Sequence, residues 1–253
     1  MKFEVMVPVL FTHNFHNFFD SILGNSVLPT RLIVIDNTDG KTPFIPPTNK
    51  FQVDVFKSRT KQVNESWNLG LKKASRDADF VGIYNDDIIL NKHFFKRVLQ
   101  TFDASGKRTI GVVCPNTIEF ERTSFSRPGT GPFKLVWVRK REGWCFTMSR
   151  KARNLVPPIP CHLIKQFHGD DWIWFHTKTG GCSWFKDWGN HIWHLTGESI
   201  SRTGDNINRM VERQNWENIH FCLSMKQSDK IQNLKRIERC PLSMEEQLTG
   251  LSN

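Results

Sequence analysis

Nothing in the 253 residues approaches the roughly 20 consecutive apolar residues that a membrane-spanning helix requires; the longest apolar runs, such as Leu32–Ile35, are strand-sized. The N-terminal stretch MKFEVMVPVLF carries an acid among its apolar residues and no small-residue cleavage site. It reads as a first strand and not as a signal peptide. The six cysteines (114, 145, 161, 182, 222 and 240) form no Cys-x-x-Cys pair, and no Cys/His spacing suits zinc. Reduced, inert thiols in a cytoplasm, the host's if the source is viral, are the expectation. A Gly-rich phosphate loop bearing Lys or Arg is also missing near the N-terminus, which argues against a nucleotidyltransferase. No internal repeat and no domain linker stands out.

What is present supports a packed fold. Apolar residues make up 38% and aromatics 12%, and the length suffices for one sizeable α/β domain or a domain with a small appendage. The charge is regional. Residues 91–153 hold 14 Lys and Arg against 4 Asp and Glu, which equals the whole net charge of +10; the remaining chain is neutral. One basic face suits a polyanionic partner such as nucleic acid, anionic lipid or an acidic glycan, although a generally basic surface gives the same count.

Over the first 115 residues, strand and helix patterns alternate. Strands are expected at Phe3–Phe11, Arg31–Asp36, Phe51–Phe56, Asp79–Tyr84 and Ile110–Cys114. Helices are expected from Phe15 to Leu23, along the Val63, Trp67, Leu71, Ala74 face, and over Lys92–Phe102. Such alternation implies an α/β fold with a mostly parallel central sheet and helices on both faces. Ligands of these sheets bind outside the carboxyl ends of the strands. In the second half, Lys134–Val138 and Trp144–Met148 read as strands, Asp170–Thr179 as a short helix, Ser183–Leu195 as a strand pair, and the last 50 residues as polar and helical.

Asn85-Asp86-Asp87 follows the apolar strand that ends at Tyr84. Two carboxylates at a strand's carboxyl edge repel one another and are costly to desolvate, and a divalent cation relieves both penalties. A strand followed by an acidic turn reads the same way. Asp36-Asn37 ends another strand on the same edge, where its side chains suit a nucleobase or ribose as well as an Asx turn. Asn64 and Asn68 lie four apart on one helix face, placed for a hydroxyl or phosphate; capping explains Asn64 equally well. Gly169-Asp170-Asp171 starts a helix, where carboxylates are favoured by the helix dipole with or without a catalytic role.

In order, the chain carries Pro8 in its first strand, Ile35-Asp36-Asn37, Asn64…Asn68-Leu69-Gly70, Asn85-Asp86-Asp87, Gly143-Trp144-Cys145-Phe146, Gly169-Asp170-Asp171 and His194-Leu195-Thr196-Gly197-Glu198-Ser199. This succession resembles the nucleotide-sugar-dependent glycosyltransferases of the GT-A (Rossmann-like) fold, above all their family-two-like inverting group, over roughly residues 3–200. The resemblance implies a glycosyltransferase domain at 1–203, with a nucleotide-sugar half (1–115), an acceptor half (116–203) and a helical extension at 204–253. It implies that Pro8 and Asp36 line the nucleoside pocket of a UDP-linked donor, with Asn64, Asn68 and Asp86 supporting the donor. Asp87 and His194 would hold Mn2+ or Mg2+, Asp171 or Asp170 would be the general base, and Trp144 would line the acceptor pocket. Asp170-Asp171 stands where the family has Glu-Asp, and His191 stands three residues before His194.

Arg139, Lys140 and Arg141 precede Trp144 within the basic stretch. Cations around an aromatic suit phosphate contacts beside a stacked or flipped base. The acceptor expected on this ground is double-stranded DNA with hydroxymethylated bases, of the kind viruses such as bacteriophages glycosylate. Lipopolysaccharide, capsule or protein glycans are the alternative, with the basic face resting on an anionic membrane. A non-catalytic nucleic-acid or sugar-binding module is a further alternative, against which the retained carboxylates argue.

Overall fold

The computed structural model describes residues 1–38, 45, 47–58, 60–104, 110–118, 127–138, 143–195 and 206–228. The elements run β1 (Phe3–Val9), α1 (Thr12–Leu23), β2 (Arg31–Asp36), β3 (Gln52–Lys57), α2 (Val63–Lys73), β4 (Phe80–Tyr84), β5 (Ile88–Leu90), α3 (Phe94–Asp103), β6 (Ile110–Ile118), β7 (Leu135–Trp137), β8 (Cys145–Ser149), α4 (Arg150–Asn154), α5 (Gly169–Thr179), β9 (Ser183–His194) and α6 (Asn206–Ser228).

Every residue of β1 is buried, as a central strand covered on both faces demands. Its alternate side chains serve two cores. Phe3, Val5, Val7 and Val9 pack with Phe15, Phe18, Phe19 and Ile22 of α1 and with Phe94, Phe95 and Val98 of α3. Met6 points the other way, to Trp67 of α2, Phe146 of β8, Ile173 of α5 and Trp184 of β9. Each such fully buried side chain contributes about 1.5–3 kcal/mol. The period of two in the strands and the helical spacing of the phenylalanines therefore produce the expected α/β layering.

The strand order is β3-β2-β1-β4-β8-β6-β9-β5, with β7 on β9. The sheet is parallel from β3 through β4, where the sequence alternates strand and helix. Beyond β4 it is mixed: β8 runs antiparallel to both β4 and β6, and β5 and β7 antiparallel to β9. Mixed pairing lets short connections replace helical crossovers.

The stretch expected as a strand pair is one strand of 12 residues, β9. The turn-like Asp187-Trp188-Gly189-Asn190 is an irregularity within it, since the β6 register jumps from Cys114–Lys186 to Asn116–His191. Asp187 is fully buried there, paired with Arg97 Nε at 2.7 Å and Nη2 at 2.8 Å, and it accepts from Gly189 N at 3.1 Å. Gly189 must lack a side chain because its Cβ would meet the Pro132 carbonyl oxygen. The short β5 and α4 have no clear periodicity and were not foreseen.

The C-terminal helix α6 is docked. Ile219 is buried, Glu212 Oε2 accepts from Gln166 N (2.9 Å) and Phe167 N (2.8 Å), and Asn215 Nδ2 donates to Leu163 O (2.9 Å). The described cysteines, Cys114, Cys145, Cys161, Cys182 and Cys222, form no disulfide. Among the described residues, no helix is long and apolar enough to cross a membrane.

Candidate active site

The β1–β4 pairing ends at Met6–Ile83, before the carboxyl end of either strand. Val9 O accepts from Asn37 N beside β2, so by strand alternation the Pro8 nitrogen faces β4. It lies past the last β1–β4 pair, Met6–Ile83, where its missing N–H costs no ladder bond. Asp86 links the two strand ends: Oδ2 accepts from Leu10 N at 3.0 Å and Phe11 N at 3.3 Å. Burial, and next the neighbouring Asp87 charge, push the Asp86 carboxyl up to about 7, against the pull of those two N–H groups.

Asp87 meets His194 at the same rim. Ile88 of β5 is in register with His194 of β9, and Leu195 N donates to Asp87 O at 2.9 Å. Asp87 Oδ1 stands 3.4 Å from His194 Nε2. The two are not aligned for a hydrogen bond, and both Asp87 Oδ1 and His194 Nδ1 are buried without a hydrogen-bond partner among the described residues. An unpaired buried carboxylate oxygen is expensive unless something occupies it. Neighbouring ligands of an octahedral cation with bonds of about 2.1 Å lie about 3 Å apart, so this carboxylate–imidazole pair is of suitable size. No group of three or more His, Cys, Asp or Glu among the described residues could hold a metal ion. Two protein ligands would leave the remaining positions of a cation to phosphate and water, which suits Mg2+ or Mn2+ at a diphosphate.

Trp144 stacks on His194, with ring centroids 4.7 Å apart and planes at 13°. Its Nε1 donates to Thr117 Oγ1 (2.8 Å), and its carbonyl accepts from Asn85 N (2.9 Å). His191 is turned elsewhere, with Nδ1 3.1 Å from Gly129 O, so His194 is the histidine of this rim.

Asp36 forms the Asx turn: Oδ1 accepts from Thr38 N at 2.9 Å and Thr38 Oγ1 at 2.6 Å. Asn37 Oδ1 accepts from Ser66 Oγ at 3.0 Å. The amides of Asn64 and Asn68 serve the chain itself. Asn64 Nδ2 donates to Ile164 O and Phe167 O (2.8 and 2.9 Å), while Asn68 donates to Ile159 O and accepts from Ile159 N (both 2.8 Å). Asn64 is wholly buried, and its Nδ2 braces the loop that leads into α5.

The braced loop, 159–168, delivers the acids at the start of α5. His168 has φ 63° and ψ 8° and is the single non-glycine residue with positive φ among those described. Gly169 follows because any Cβ would collide with Asn64 Oδ1. Asp170 is turned toward Gly143, whose Cβ would stand 3.0 Å from Asp170 Oδ2. Asp171 is turned toward His168, with Oδ2 2.7 Å from Nδ1. Contact by contact, the rim thus runs from Asp87 through His194 and Trp144 to Gly143 and Asp170. His168 and Thr117 were missed in the sequence, where a lone histidine and a lone threonine carry no pattern. Arg139, Lys140, Arg141 and the Thr196–Ser199 stretch lie outside the described residues.

A nine-stranded mixed sheet with helices on both faces and acids at the rim is the GT-A form of the α/β fold. No protein-family model and no curated protein sequence matches the chain. Among solved structures, it is similar to S. aureus TarS 1–349 in complex with UDP, at TM-score 0.60 and 16% identity over 76% of this chain and 60% of that one. The same protein in complex with UDP-GlcNAc gives TM-score 0.60 and 15% identity over 79% of this chain and 61% of that one. GalNAc-T7 with UDP, GalNAc and Mn2+ gives TM-score 0.58 and 11% identity over 76% of this chain and 43% of that one. The chain therefore spans about 60% of the length of TarS 1–349. At such identities the likeness is one of fold.

Proposed function

We propose that this chain is a metal-assisted, inverting glycosyltransferase that moves a sugar from a UDP-linked donor to an acceptor hydroxyl. The observation that carries the reading is the meeting of Asp87 and His194 at the sheet rim, with a buried carboxylate oxygen left without a hydrogen bond. The solved structures of similar fold that hold UDP, UDP-GlcNAc, or UDP with Mn2+ support the choice of donor and ion.

Asp87 and His194 would hold the cation, which when bound offsets the charge that develops on the leaving diphosphate. Pro8 and Asp36 border the place for the nucleoside, and Asp86 ties the β1 and β4 ends together beneath it. Asp171 takes the proton of the acceptor hydroxyl as its oxygen bonds to the anomeric carbon. The carbon–oxygen bond to the diphosphate breaks on the opposite face, so configuration inverts and UDP leaves. Asp170, against Gly143, faces the same rim and carries charge beside the acceptor pocket lined by Trp144.

The basic stretch supports DNA with hydroxymethylated bases as the acceptor. The deciding experiment incubates the chain, Mn2+ and UDP-glucose or UDP-GlcNAc with hydroxymethylated duplex DNA and follows UDP release and base mass. Asp171→Asn is expected to lose transfer by at least about 100-fold while keeping donor affinity. Full activity of that variant overturns its role as base. UDP release without any gain of base mass redirects the acceptor to lipopolysaccharide, capsule or protein glycans.

A further inference from the structure

Resting on the reading of Asp171 as the base, we propose that His168 is a positioning residue: its Nδ1 holds one carboxylate oxygen of Asp171 so that the other is presented to the acceptor hydroxyl. The two atoms are 2.7 Å apart, within three residues of one another. His168, the N-cap residue that makes this contact, has a left-handed backbone.

Left-handed backbone is disfavoured for a non-glycine residue, and glycine or asparagine would relieve it. The conformation is over-determined from several directions. Glu212 of α6 accepts from Gln166 N and Phe167 N, Asn64 of α2 donates to Phe167 O, and Trp172 N closes the first turn of α5 on His168 O at 3.0 Å. Trp216 of α6 lies parallel to the imidazole, with centroids 5.9 Å apart and planes at 6°. Behind it stands His220, and Arg209 covers the Phe167 ring. Strain kept in place by surrounding contacts at a site of this kind points to a role for the side chain that needs it. The Trp216 stack fixes the plane of the ring, and the hydrogen bond then fixes the carboxylate.

Two substitutions separate the side chain from the backbone. His168→Gly tolerates the left-handed backbone but removes the donor. His168→Asn tolerates it too and places an amide nitrogen where Nδ1 stands. The assay is UDP release from UDP-GlcNAc and UDP-glucose by the full chain with Mn2+ and hydroxymethylated duplex DNA, with thermal midpoints measured alongside. For His168→Gly, kcat is expected to fall about 10- to 100-fold with KM for the donor unchanged, and the acid limb of the kcat/KM profile to move to higher pH, because Asp171 has lost a hydrogen bond to its charged form. His168→Asn is expected to recover most of the loss. A His168→Gly chain as active as the parent overturns the inference, as does a His168→Asn chain no better than His168→Gly. A parent chain that releases UDP from neither donor overturns the donor reading itself, and the positioned base falls with it.

Discussion

Asp87 and His194 stand 3.4 Å apart because β5 and β9 pair antiparallel with Ile88 opposite His194. The pairing brings a carboxylate and an imidazole together from segments far apart in the chain, and Asp87 Oδ1 has no hydrogen-bond partner among the described residues.

Removing either partner tests the pair. Asp87→Ala is expected to weaken Mn2+ binding in the presence of UDP by at least about tenfold by isothermal titration, and His194→Ala to weaken it less, since the charged ligand contributes more. Asp87→Ala should not lower the thermal midpoint of the metal-free chain, because it deletes an unpaired buried carboxylate oxygen. Unchanged Mn2+ affinity in Asp87→Ala rules out this site.

Asp86 carries the cost of burial beside a like charge. Its folded-state carboxyl sits near 7, above the ordinary value of 3.8, so ionisation destabilises the metal-free fold increasingly as pH rises between those values. Asp86→Asn keeps an oxygen for Leu10 N and Phe11 N. It should raise the thermal midpoint at pH 8 and leave it unaltered at pH values below the ordinary carboxyl range; no gain at pH 8 contradicts the reading.

Glu212→Ala leaves the Gln166 and Phe167 N–H groups unpaired, which costs about 1–3 kcal/mol. Urea unfolding should show that loss. Hydrogen exchange should rise at the loop that leads into α5 if the carboxylate braces it, and stay flat if it does not.

Duplex DNA affinity should fall steeply with salt. Replacing Arg139, Lys140 and Arg141 with alanine should reduce the slope of log K against log salt by up to about 3. An unaltered slope removes these cations from the interface.

The parallel half of the sheet was legible because β1, β2 and β4 are apolar and bounded by turn residues, and α1 shows its phenylalanines at helical spacing. Asp86 and Asp87 were legible as a pair at a strand end. Their separate fates were not, since one turns to the β1 loop and the other to β9, and this depends on a pairing partner distant in sequence. Asn64 and Asn68 share a helix face as expected, yet face a loop whose path no periodicity predicts. The 183–195 stretch misled because a buried Asp187 satisfied by Arg97 looks, in sequence, like a solvent-exposed turn.

The tail that the sequence marks off as an appendage is mechanically part of the loop that leads into α5. A chain ended after Leu195 would lack Glu212 and Trp216, and the backbone behind His168 would lose the props that keep it in a conformation it does not otherwise prefer. Trimming for crystallisation or expression at that apparent boundary would therefore yield a fold with an intact sheet and a slackened start of α5.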